Sequence, residues 1–160
     1  MSEDALGVPF TGPAGKLLDR IIEMATAATQ VPGTQGSSYN SLRWGFTNLV
    51  ACFPRDNKET ENHAPPEEAI RACAGRLREI VRVCKPRLIV LVGRLSKKYV
   101  SGASQFALKS GQQPEWIEEG RYLEFIEIEH PAFILRSNAA VQGLMIKKCV
   151  VVIRSAVEKL

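Results

Sequence analysis

Between Gly7 and Gly15 the chain places three glycines and two prolines in nine residues, Gly7-Val8-Pro9-Phe10-Thr11-Gly12-Pro13-Ala14-Gly15. Proline fixes φ, and positive φ is freely available only where glycine stands, so the segment is restricted to a tight, irregular path. Leu17, Leu18, Ile21, Ile22 and Ala25 then recur at helical spacing, which predicts a helix from Ala14 to about Ala28. A loop feeding a helix N-terminus leaves backbone amides free to meet an anion. Phe10 lies inside the loop, where a large apolar ring needs a reason; folding back onto the core is the plain one. The segment is not a nucleotide-triphosphate loop. Counting back from Gly15-Lys16, Phe10 stands where the first glycine belongs, and Leu17 replaces the hydroxyl that would hold magnesium.

A chain of 160 residues is most simply one domain, large enough to bury a single core. Its formal charge of +4 gives a mild lean towards polyanionic partners. Met1-Ser2-Glu3-Asp4 has no signal-peptide character and no apolar run approaches a membrane span, so cytoplasmic residence without membrane attachment is expected. Cys52, Cys73, Cys84 and Cys149 include no Cys-x-x-Cys pair, which argues against disulfides and against zinc.

Thr29 to Ser41 reads as a loop, with Arg43 and Trp44 as anchors or ligand contacts near its end. Phe46 to Cys52 reads as a buried strand interrupted by Asn48. After a polar loop carrying His63, Pro65 and Pro66 open a helix with Glu67 and Glu68 in its first turn. The apolar stripe of that helix is Ile70, Cys73, Leu77, Ile80, Val81 and Cys84, which predicts both cysteines buried. Leu88 to Val92 is a continuous aliphatic run ending at Gly93, the pattern of a strand buried on both faces. A short helix and a loop through Gly111 to Gly120 lead to a further strand, Leu123 to Ile128, whose glutamates suggest an edge. His130-Pro131 follows at its C-terminal end, where open parallel sheets bind ligands. Ala139 to Leu160 closes the chain as a helix, with a strand at Cys149 to Ile153 as the alternative. Alternating helices and strands predict an α/β fold, a three-layer α/β/α sandwich around a mostly parallel sheet.

Three segments in order resemble the uracil-DNA glycosylase superfamily, most closely its family 4 branch: Gly7 to Asp19, Thr47-Asn48-Leu49-Val50-Ala51-Cys52-Phe53-Pro54, and His130-Pro131-Ala132-Phe133-Ile134-Leu135-Arg136. Pro66 to Cys73 and Lys85 to Gly93 follow the family pattern as well. The resemblance implies removal of uracil from DNA by hydrolysis of the N-glycosidic bond after base flipping. It implies that Phe10 stacks on the flipped base, that Asn48 reads its polar edge, and that His130 binds the uracil carbonyl and stabilises the departing base. Gly12, Pro13, Gly15, Lys16, Pro131 and Arg136 match positions that engage DNA. This chemistry calls for an aromatic platform and edge-reading groups in a snug pocket, and the glycosidic step needs no metal.

Cys52 and Cys73 match the last two ligands of the family's 4Fe-4S cluster; Cys84 and Cys149 match none. The first two ligands, the first strand and a Gly-Glu-Ala-Pro-Gly type loop that helps position the attacking water would precede Glu3-Asp4. The expectation is therefore a single glycosylase-like domain over residues 1–160, N-terminally incomplete, monomeric and poor at excision. No cofactor is expected in this chain, the cluster belonging to a longer form. Uracil-containing DNA, single- or double-stranded, is the expected partner. A non-catalytic module that binds DNA or uracil is the alternative, and an unrelated nucleotide-binding α/β protein a third.

Overall fold

In the computed structural model of the chain, residues 10, 12–27, 44–51, 64–101 and 123–160 are described. Helix α1, Pro13–Thr26, starts from Gly12 as N-cap, with proline where the missing amide proton is no loss. Leu18, Ile21, Ile22 and Ala25 are buried along one stripe, as their spacing requires. Helix α2, Glu67–Cys84, carries Glu67 and Glu68 against the positive end of its dipole. Lys85, in left-handed backbone with φ 47°, ends it just before Pro86.

Strand β1, Leu88–Val92, pairs in parallel with β2, Glu124–Ile128, in register from Leu88 opposite Glu124 to Val92 opposite Ile128. Helix α3, Gly93–Ser96, and a π-helical turn, Lys97–Ser101, leave the end of β1. Helices α4, Pro131–Arg136, and α5, Ala139–Val157, follow β2. The chain thus has an α/β fold with a parallel sheet, of which two strands lie among the described residues.

Leu88, Val90, Val92, Ile126 and Ile128 alternate along the strands onto one face. They meet the α1 stripe, Ile134 of α4, and Cys149, Val150, Ile153 and Val157 of α5 in one apolar cluster. Arg154 of α5 latches this layer. Its Nε donates to the Ala25 carbonyl at 3.3 Å and its Nη2 to that of Met24 at 2.7 Å, satisfying acceptors that the end of α1 leaves open. Asn138 caps α5, its Oδ1 accepting from the Val141 amide at 3.0 Å.

Several sequence expectations change. Residues 46–51 form no strand, and Phe46, Thr47 and Asn48 lie exposed. Two polar residues in succession break the buried pattern, and Arg76 takes the Asn48 carbonyl, a ladder acceptor in a strand, together with the Thr47 hydroxyl. Cys84 is exposed rather than buried, because the fully buried part of the α2 stripe is Ile70 and Ala74, early in the helix. Leu88–Val92 is not buried on both faces throughout: only Leu91 is fully buried. Cys149 to Ile153 is helix, its β-branched Val150 and Ile153 turned into the core, where packing outweighs propensity. The loops at Thr29 to Ser41 and Gly111 to Gly120, and His63, lie outside the described residues. Among those described, no helix is long and apolar enough to cross a membrane.

Candidate functional site

The two strand exits meet at His130. As N-cap of α4, its Nδ1 accepts from the Ala132 amide at 3.2 Å. A nitrogen that accepts carries no proton, so the neutral ring bears its hydrogen on Nε2 and donates there. Gly93, at the exit of β1, has φ +84°, and a Cβ built on it would stand 2.9 Å from His130 Cβ and 3.1 Å from Cδ2. That position therefore needs glycine twice, for its conformation and for the space the imidazole takes. The ring is open to solvent on its outer side but crowded by protein on the other. Desolvation first, and the positive charge of Arg136 second, hold its pKa below the ordinary value of 6.5.

A nitrogen-detected NMR titration should accordingly find His130 neutral at pH 7, protonated on Nε2, and titrating below 6.5. The unfolded chain takes up this proton at a higher pH than the folded one. Stability from this group is therefore present above 6.5 and is lost as pH falls through the window down to the folded value. Charging Nδ1 also breaks the Ala132 cap. A midpoint at or above 6.5, or a proton on Nδ1 at pH 8, would contradict the assignment.

Phe10 precedes α1 with φ 61°, an uncommon conformation for a bulky residue. Gly15 makes it feasible: a Cβ there would stand 1.7 Å from the Phe10 carbonyl oxygen and 2.3 Å from its carbonyl carbon. The half-buried ring borders the core cluster and lies 5.4 Å from that of Phe46, centroid to centroid, at 45°. Folding onto the core and presenting a face are thus not exclusive. Trp44 also packs against the cluster, as an anchor would.

Asn48 lies two residues from Phe46 and is exposed. Its backbone carbonyl accepts from Arg76 Nη2 at 2.6 Å, and the neighbouring Thr47 Oγ1 accepts from Nη1 at 3.0 Å. Gly12 and Pro13 form the start of α1, where the Lys16 amide donates to the Gly12 carbonyl at 3.0 Å, and the Lys16 side chain is exposed. Pro131 is buried at the start of α4; Arg136 is exposed at its end. Phe10 meets Phe46, two residues before Asn48, and His130 meets Gly93 at the exit of the other strand. Sequence reasoning passed over Phe46 as a platform partner, Gly93 as a ring contact and Arg76 altogether. Gly93 alone left a signal, as the glycine closing an aliphatic run.

Cys73 is half-buried on α2, and Cys52 lies outside the described residues. A 4Fe-4S cluster takes four thiolates, and among the described residues no group of three or more His, Cys, Asp or Glu side chains could hold a metal. Of the two positions that match cluster ligands, Cys73 lies among the described residues.

Comparison with known proteins covers most of the chain. The sequence model of the Uracil DNA glycosylase superfamily matches residues 1–153. The chain is 31% identical over 147 residues to a type-4 uracil-DNA glycosylase of Pyrobaculum aerophilum, covering 86% of this chain and 64% of that protein. It is 30% identical over 139 residues to the type-4 enzyme of Saccharolobus solfataricus, with 84% and 57% covered. The enzyme of Sulfurisphaera tokodaii gives 29% over 139 residues, with 84% and 56% covered. The chain thus spans between half and two thirds of the length of these relatives. With the ordered segments around Phe10, Asn48 and His130 inside the matched region, the chain belongs to the uracil DNA glycosylase superfamily.

Proposed function

We propose that the chain removes uracil from DNA by hydrolysing the N-glycosidic bond of a flipped-out nucleotide. It would act as a monomer, in the cytoplasm, in base-excision repair. One observation carries this reading: His130 is a preset neutral donor, its Nδ1 occupied by the Ala132 amide and its ring set against Gly93. As the bond to the sugar breaks, negative charge grows on the uracil carbonyl. A fixed N–H at Nε2 stabilises that charge without rearranging. The Phe10 face receives the base, and the Asn48 amide reads its edge. The α1 N-terminus at Gly12 to Gly15, with the exposed Lys16 and Arg136, serves the phosphate backbone. His130 and Asn48 act on the departing base; neither is assigned to the attacking water.

The test is uracil release, and binding at fixed salt, on single-stranded and duplex oligonucleotides carrying uracil or thymine. Phe10→Ala is expected to weaken uracil-DNA affinity by about 1–3 kcal/mol, the usual loss for one stacking aromatic. His130→Gln should slow release about 100- to 1,000-fold, as for removal of an oxyanion donor. Binding that prefers uracil but releases none would identify a non-catalytic module. Equal affinity for uracil and thymine DNA would overturn both readings.

A further inference from the structure

We propose that Arg76 is a positioning residue for base recognition, fixing the segment from which Asn48 presents its amide; this rests on the function proposed above. Thr47 and Asn48 belong to no helix or strand and both are exposed; Trp44 on the core cluster and Phe46 on Phe10 hold the residues ahead of them. A side chain on such a segment could not read a base edge to within hydrogen-bonding tolerance, because each misplaced partner loses its bond steeply with distance and angle. Arg76 supplies the missing constraint from the middle of α2. Its planar fork engages two successive residues at once, through the Thr47 hydroxyl at 3.0 Å and the Asn48 carbonyl at 2.6 Å.

The bonds restrain the Asn48 backbone and leave its side-chain amide uncommitted to Arg76. They have the character of a device that aims Asn48 rather than one that competes for it. Arg76 is half-buried, and its Nε is buried without a hydrogen-bond partner among the described residues. Lysine could not reproduce the arrangement, since one ammonium does not span both acceptors in a fixed plane.

Two measurements test this on the full chain. In the first, no substrate is present: backbone order of Thr47 and Asn48 is read by NMR relaxation in the wild type, Arg76→Lys and Arg76→Met. Order should fall in Arg76→Met and only partly recover in Arg76→Lys, with the helices unchanged. In the second, binding to uracil and thymine oligonucleotides is compared at fixed salt. Arg76→Met should lose about tenfold of the uracil preference, the scale of one hydrogen bond to a charged group. Thymine binding should change far less, and millimolar guanidinium should restore part of the preference in Arg76→Ala. An ordered Thr47–Asn48 segment in Arg76→Met, or a loss shared equally by both oligonucleotides, overturns the inference. If the wild type itself shows no uracil preference, the proposed function fails, and the relaxation measurement still decides whether Arg76 orders the segment.

Discussion

A Gly15→Ala chain is expected to melt several degrees below the wild type and to bind uracil-containing DNA no better than Phe10→Ala does. The new methyl would stand 1.7 Å from the carbonyl oxygen of Phe10 and 2.8 Å from its Cα, and both are backbone atoms. Neither side can yield cheaply. Gly15 belongs to the first turn of α1, whose buried stripe fixes the helix on the core, and Phe10 already occupies a left-handed conformation. The Phe10 backbone must therefore leave, and its ring leaves Phe46 with it. Overpacking of this kind costs about 2 kcal/mol, which at this chain length lowers the thermal midpoint by about 4–8 °C. Gly12→Ala is the control three residues away. A Cβ there meets nothing within 4 Å, so only the modest preference for glycine over alanine at an N-cap is lost. Calorimetry on the two variants checks the contrast in stability, and a binding titration sets Gly15→Ala beside Phe10→Ala. Equal effects would show that the close approach of Gly15 to Phe10 does not hold the loop.

The second large effect is expected at Gly93, and it should fall on chemistry more than on stability. Alanine there meets His130 Cβ at 2.9 Å and ring atoms at 3.1 and 3.3 Å, and must also hold φ +84°. Left-handed backbone costs a non-glycine residue about 1–2 kcal/mol. The imidazole is a side chain, so it is the partner that gives way, outward into solvent. Leaving the crowded site weakens the desolvation that depresses its pKa, so the titration should move up towards 6.5. Uracil release should fall about 100-fold, the scale of a donor displaced by an ångström. A merely structural glycine would lower the melting temperature and leave the His130 titration where it was, and that result would refute the account.

What the sequence made legible follows from the range of the interactions involved. Helices α1, α2 and α5 were readable because their stripes are local, repeating every three or four residues and punctuated by Gly12-Pro13, Pro66 and Pro86. His130 was readable as a residue at the exit of a parallel strand. Residues 46–51 misled because Phe46, Leu49 and Val50 satisfy strand composition, whereas their course is set by Arg76, 28 residues from Asn48. The tautomer of His130 depends on an amide two residues on, and its crowding on a glycine from the other strand. Neither leaves a periodic trace. The partial exposure of Phe10 likewise turns on Phe46, a contact across 36 positions of chain.

The Arg154 latch bears on the order in which the molecule can be made. The carbonyls of Met24 and Ala25 emerge from the ribosome early, and the guanidinium that closes them comes 130 and 129 residues later. The buried stripe of α1 has the same wait, since Cys149, Val150 and Ile153 of α5 are among its partners in the core. During synthesis α1 therefore stands with one flank open until α5 has been translated, a long-range closure of the kind that slows folding. Nascent chains halted anywhere before Cys149 carry the Phe10 loop but not the apolar wall behind the helix that follows it. Phe10 precedes that helix in the chain, and the apolar wall behind it is complete only after α5 has been made.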